Sequence, residues 1–280
     1  MRSRSSWPWA CGIHTFRCSR PRITSTCIRR TRCGFPSCRR TIWTMCPRWA
    51  RNSPRFAAAS TSALFAKASG KDAIRAYLAS ISFADAMVGS IVTALERSSH
   101  ARNTILVFWS DNGWHLGEKR HWHKSTLWQR STHVPLIFAG PGLKAAGRER
   151  KQPVNLLDLY PTLVDMCGLP KRSELEGESL TPLLSDPRAK RNPTVTTYLP
   201  DNHSVRNERW RYTRYSDGGE ELYDCIADPK EIRNLASDPK HNELKRELGK
   251  WMPKASVPPK PERDAYDFNF ERHTWKLKAE

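Results

Sequence analysis

Residues 104–109, Thr-Ile-Leu-Val-Phe-Trp, form a short apolar run with β-branched members that stops abruptly at Ser110-Asp111-Asn112-Gly113. Six residues are too few for a helix, and continuous apolarity predicts a buried strand. A second run, Val134–Ala139, closes on Gly140-Pro141-Gly142 and predicts another. Upstream, Ile74, Leu78, Ile81, Met87, Ile91, Val92 and Leu95 recur at mostly helical intervals, with Asp72 in the first turn. A helix leading into a buried strand is the αβ half of a doubly wound unit, so the expected class is α/β. Asp111 and Asn112 then lie just past a strand's carboxyl end, where open α/β sheets bind ligands.

The residue types there have definite chemistry. Asp111 and Asn112 offer adjacent hard oxygens of the kind that suits Ca²⁺ or Mg²⁺. The same Asp-Asn-Gly string is also an ordinary turn signal. Lys124, set among His115, His121 and His123, could hold an anion as a point charge, or could simply be solvated.

Downstream, Asn155–Leu163 starts a helix for which Asp158 is the expected N-cap. Gly168 is placed to cap its end, with Pro170 beyond. From Thr194 the texture changes to short strands at Val195–Leu199, Glu208–Tyr215 and Glu221–Tyr223, with a hairpin turn at Gly218-Gly219. A helix over about Asn242–Trp251 follows. Residues 253–280 read as a tail or linker. Trp210, Arg211 and Arg214 read either as contacts for an anionic substrate or as a half-exposed strand. Cys167 and Cys225 read as free thiols. No apolar run approaches the roughly 18 residues of a membrane span.

The first fifth is unlike the rest. Net charge is +19, but residues 1–55 hold thirteen Arg and no Lys, Asp or Glu. Residues 56–280 carry 34 basic and 28 acidic groups. Six of the eight Cys precede residue 50. Three readings stand side by side. One is a nucleic-acid-binding arm, with Arg for phosphates and Trp7, Trp9, Trp43 and Trp49 for bases. A second is a disulfide or metal module, although the Cys spacings contain no Cys-x-x-Cys. The third is a shifted reading frame: starting each codon on its third base, Trp43-Thr44 forces Asp, Met45-Cys46 forces Val and Trp49-Ala50 forces Gly. No basic stretch followed by a 7–15-residue apolar core marks a signal peptide.

The ordered string Ser110-Asp111-Asn112-Gly113-Trp114-His115-Leu116-Gly117-Glu118-Lys119, Trp122-His123-Lys124, Thr132-His133-Val134-Pro135-Leu136-Ile137-Phe138 resembles the type I sulfatases. Its branch looks similar to iduronate-2-sulfatase and choline-sulfatase. Asp158-Leu159-Tyr160-Pro161-Thr162-Leu163, Leu175–Leu184 and Glu221-Leu222-Tyr223-Asp224 extend the resemblance over roughly residues 70–252.

The resemblance implies the C-terminal part of an alkaline-phosphatase-like α/β sandwich, followed by a small antiparallel sheet with a packing helix. The expected divisions are 1–56, 57–192 for the catalytic α/β part, 193–252 for the small subdomain, and 253–280. It implies Asp111 and Asn112 as Ca²⁺ ligands, Lys124 as the sulfate-gripping catalytic residue, and His115 and His123 on the substrate. The substrate would be a sulfated small molecule or glycan. Family members are commonly periplasmic, secreted or lysosomal.

The family's nucleophile, a formylglycine made from Cys- or Ser-x-Pro-x-Arg, has no counterpart here. Cys18-Ser19-Arg20-Pro21-Arg22 has the wrong spacing. The expectation is therefore a sulfatase by family whose 280 residues are inactive alone. The alternatives are a phosphohydrolase of the same superfamily and a nucleic-acid-binding protein acting through residues 1–55.

Overall fold

A computed structural model describes residues 70–143, 147–255, 266–269, 271–272 and 274–277. Every expectation placed on residues 1–69, including the Arg- and Cys-rich segment, lies outside them.

Helix α1 (Gly70–Glu96) fulfils the periodic pattern, and Ser98 ends it by donating its hydroxyl to the Leu95 carbonyl at 2.8 Å. None of its residues is buried, and Ile81, Phe83, Met87 and Ile91 are exposed. Its mean hydropathy reaches 1.7, so by length and composition alone it could cross a bilayer. This qualifies the expectation of no span. Small Ala, Gly and Ser residues break up every apolar run, yet they keep charges sparse. The Ser80, Ser82 and Ser90 hydroxyls bond back to carbonyls four residues earlier, which hides their polarity within the helix.

Strands β1 (Leu106–Trp109) and β4 (Leu136–Ala139) occupy the two apolar runs. They pair with each other in antiparallel register, Leu106 opposite Ala139 and Trp109 opposite Leu136. The sequence left the relative direction of these two strands open, and the structure makes it antiparallel. Their expected burial is corrected: the strands are half-buried, and Trp109 is exposed. Between them lie the two-residue strands β2 (His115–Leu116) and β3 (Trp122–His123), then the one-turn helix α2 (Gln129–Thr132).

Helix α3 (Leu159–Met166) follows a 3₁₀ turn at Leu156–Asp158. Asp158 holds its N-cap position, as expected, but makes no side-chain cap bond there. Its own angles are helical, and its carboxylate reaches back to accept the Asn155 N–H at 2.7 Å, closing a capping box over the 3₁₀ turn that leads into the helix. The other carboxylate oxygen accepts the Glu178 N–H at 2.9 Å, and Arg191 pairs with the first. Gly168, at φ 64°, ends the helix as expected. Its N–H bonds Asp165 O and the Leu169 N–H bonds Val164 O, which is a Schellman motif. A short helix α4 (Thr181–Ser185) precedes the second sheet.

That sheet is antiparallel in the order β5 (Thr194–Thr197), β6 (His203–Arg206), β7 (Trp210–Arg214), β8 (Glu220–Asp224). The expected hairpin at Gly218-Gly219 joins β7 to β8, with Gly218 at φ 81°. Strand β6 escaped sequence reading because His-Ser-Val-Arg carries one apolar residue. Side-chain alternation gives the sheet two different faces. Val205, Tyr212 and Leu222 point to one side and bury against Ala236, Met252 and Leu248 of α5 (Asn242–Gly249). Each such large apolar side chain contributes about 1.5–3 kcal/mol. Ser204, Arg211, Thr213, Glu221 and Tyr223 point to the other side, where they are also buried. The supposed tail holds a hairpin, β9 (Tyr266–Asn269) with β10 (Thr274–Leu277), set by an Asn269 side chain that accepts two turn N–H groups.

Candidate functional site

The loop that follows β1 is held by its own backbone. The Gly113 N–H donates to Ser131 O at 2.9 Å, and a Cβ on Gly113 would sit 2.0 Å from the Arg130 carbonyl oxygen. Only glycine permits that approach. Ser110 Oγ donates to Asn112 O at 2.9 Å. Asp111 is exposed and Asn112 half-buried.

The β2–β3 hairpin then returns the chain so that His115 pairs with His123. Lys119, Arg120, His123 and Ser125 all have φ between 52° and 80°. Four left-handed non-glycine residues within seven positions are costly, at roughly 1 kcal/mol or more each, and such strain clusters at functional sites. The hairpin places Lys124 Nζ 2.9 Å from Asn112 Oδ1, twelve residues away in sequence. The carbonyl of Lys124 accepts from His121 Nε2 at 2.9 Å, which fixes the lysine's backbone. Trp114 packs on the His123 ring at 4.3 Å and stacks with Tyr77 of α1 at 6.3 Å.

The structure thus joins Lys124 to Asn112, the neighbour of Asp111 in the chain, while the His123 ring packs on Trp114. His115 points elsewhere. It is 1% exposed, edge-on to the rings of His121 and Trp128, with Nε2 2.9 Å from Thr126 Oγ1. Thr126 Oγ1 also contacts Ser131 Oγ at 2.8 Å, so the imidazole is tied into a buried hydroxyl chain. Burial, then the neighbouring His121 and Lys119, push the His115 pKa down to about 2. Burial also lowers His121 and His123, and the Lys124 charge lowers His123 further. The imidazoles are neutral at pH 7, so Lys124 is the cation of this group.

Sequence reading missed the supporting layer beneath. Lys119 is 8% exposed, donates to Tyr223 Oη at 2.9 Å, and lies 4.4 Å from the Trp128 ring centroid. Trp128 Nε1 and Tyr215 Oη both donate to Glu221, whose pKa burial raises. Arg211 and Glu231 form a buried ion pair at 2.6 Å. Arg211 also donates to Leu127 O and Gln129 Oε1, and Glu231 accepts the Gln129 N–H. Arg211 therefore anchors the small sheet to the site loop and is no substrate contact. These residues look like surface charges in sequence; only alternation around Tyr212 and Leu222 hinted that they face inward.

For a metal, Asp111 and Asn112 have the right donor chemistry, but Ca²⁺ takes six to eight oxygens. No cluster of three or more His, Cys, Asp or Glu suited to a metal occurs among the described residues. The Asn112 carbonyl is also shared with the Lys124 ammonium. The described residues make at most part of a Ca²⁺ site.

The comparisons with known proteins agree with one another. The family description "Sulfatase" matches residues 24–169, and "N-sulphoglucosamine sulphohydrolase, C-terminal" matches 117–257. The first begins well before residue 70, where the resemblance read from the sequence starts. A sulfatase of Formosa agariphila is 39% identical over 188 residues, covering 67% of this chain and 37% of its own. Dog arylsulfatase K is 31% identical over 217 residues, covering 71% and 40%. Among solved structures, a 2-O GAG sulfatase superposes with TM-score 0.57 at 33% identity, over 64% of this chain and 42% of that one. The chain spans 37–40% of the length of these two curated relatives. The fold is accordingly a partial alkaline-phosphatase-like α/β domain with its small C-terminal sheet, and the chain belongs to the sulfatase family.

Proposed function

We propose that residues 110–124 form the metal- and sulfate-binding half-site of a sulfuric ester hydrolase. Asp111 and Asn112 supply oxygens to Ca²⁺, Lys124 grips the sulfate, and His123 flanks it. The observation that carries this reading is the 2.9 Å bond from Lys124 to Asn112, which joins the ammonium to the oxygen pair. An ammonium has three donors, so two N–H groups of Lys124 remain for sulfate oxygens. A preorganised ammonium stabilises the negative charge that develops as the ester bond breaks. The relative described as a 2-O GAG sulfatase supports a sulfated glycan as substrate, and the Trp-His-Lys string supports the iduronate-2-sulfatase-like branch. Without a formylglycine motif, the 280-residue chain binds sulfate but does not hydrolyse sulfate esters.

The test is calorimetric titration of the purified chain with inorganic sulfate, alongside assays on aryl sulfate and aryl phosphate. Sulfate binding that weakens at least tenfold in Lys124→Ala, with no hydrolysis, is expected. Equal binding by Lys124→Ala would refute the half-site. Lys124-dependent release of sulfate would refute inactivity, and hydrolysis of phosphate alone would select the phosphohydrolase reading.

A further inference from the structure

The outward side of α1 is an apolar strip with a regular relief. Phe83, Met87 and Ile91 recur every fourth residue and are 62%, 43% and 67% exposed. At 3.6 residues per turn they line up as one ridge along the helix. The row on one side of that ridge is Ala76, Ser80 and Ala84, and the row on the other is Ala86, Ser90 and Ala94. Both rows are of small residues, so the ridge stands between two shallow grooves. The Ser80 and Ser90 hydroxyls donate at 3.0 Å to the Ala76 and Ala86 carbonyls, which satisfies them within the helix and leaves the groove floors effectively apolar. The half-buried Ile74, Leu78, Val88 and Val92 lie on a different side.

This relief selects the partner. Helices pack by setting the ridge of one into the groove of the other. A second copy of α1 supplies both parts at once: its ridge fits this groove while this ridge fits its groove, about a twofold axis. The strip carries no charge to meet a like charge across that axis. Between Arg75 and Glu96 the helix holds only Asp85, on the far side from Met87. Asp85 is also exposed at mid-helix, and an ionised carboxylate is costly at the centre of a bilayer, which argues against a membrane as the occupant. The outward half of the helix over residues 76–94 offers about 500 Å² per copy, so a pair buries roughly 1,000 Å², the lower limit of a specific interface. The net charge of +19 opposes association. Size and charge together call for a weak, reversible dimer.

We propose that α1 pairs with α1 of a second copy of the chain, the Phe83, Met87 and Ile91 ridge of each seated in the Ala76, Ser80 and Ala84 groove of the other. The contact does not depend on the sulfate half-site.

Sedimentation velocity of the full chain over a range of concentrations, at physiological salt, tests this. The unaltered chain is compared with Met87→Glu and Ser80→Leu, both at exposed positions. Ser80→Leu is the sharper probe, because it adds apolar surface yet fills the groove: general stickiness would tighten association, whereas ridge-in-groove packing loses it. A single monomer–dimer equilibrium is expected, weakened at least tenfold in each variant. Circular dichroism confirms that each variant is folded; should Ser80→Leu not fold, Met87→Glu alone decides. A chain that stays monomeric at every concentration would overturn the proposal. So would association without limit, or a dimer that is unchanged or tighter in either variant. Co-sedimentation with phosphatidylcholine vesicles in place of dimerisation would also overturn it and give the strip to a bilayer.

Discussion

Removing one half of the Arg211–Glu231 pair should be among the most damaging single changes in the described residues. Glu231 is 1% exposed and Arg211 3%, so neither charge can fall back on water. In Glu231→Ala the guanidinium loses its counter-ion while Leu127 O, Ser204 Oγ and Gln129 Oε1 still hold it in place. The Gln129 N–H loses its acceptor as well. Breaking a buried pair from one side costs about 3–5 kcal/mol. For a domain of this size that is roughly 6–20 °C in Tm. Replacing both partners, as Arg211→Met with Glu231→Leu, leaves no buried charge and should cost less than Glu231→Ala alone. Urea unfolding of the three proteins, followed by tryptophan fluorescence, measures the difference. The reasoning is wrong if Glu231→Ala costs under about 1 kcal/mol, the level of an exposed pair, or if the double variant is the less stable of the two.

Two further outcomes follow from the site itself. His115 has a folded pKa of about 2 against an ordinary 6.5, so the unfolded chain binds the extra proton as pH falls below 6.5. Stability is then lost on acidification, by up to about 1.4 kcal/mol per pH unit from this group; a plot of unfolding free energy between pH 7.5 and 5 should be flatter in His115→Phe. Gly113→Ala forces a methyl against the Arg130 carbonyl, and the loop must shift; overpacking of this kind costs about 1–3 kcal/mol, and sulfate affinity should fall with stability in titration and melting experiments.

How legible all this was in sequence depended on what each residue packs against. Helix α1, the Gly168 cap and the Gly218 hairpin are local matters of period and backbone angle, and they stand where the sequence places them. The position of Asp111 and Asn112 past β1 was equally plain, since a strand ending is a local event. The bond between Lys124 and Asn112 was not read from the sequence, because nothing local says that a twelve-residue loop folds back. The direction of β4 relative to β1 was not visible, since apolar runs look the same in either sense. Strand β6 and the Lys119–Glu221–Trp128 layer were invisible for another reason. Their polar side chains are buried against one another, and a sequence reading that equates polarity with solvent assigns them to the surface. Asp158 was read only as a cap, because its role with Glu178 and Arg191 depends on contacts 20 and 33 residues away.

The polar underside of the second sheet has a bearing on how the chain can be divided. Composition changes near residue 193, and a cut there would follow the texture of the sequence. Energetically it would be a cut through a core. The upstream piece would keep Trp128 without the Glu221 carboxylate and Lys119 without the Tyr223 hydroxyl. The downstream piece would keep Arg211 without the Leu127 carbonyl. Neither half would have a use for the charges it retained, so limited proteolysis should leave the two joined, and gene fusions or permutations that separate them should yield insoluble products.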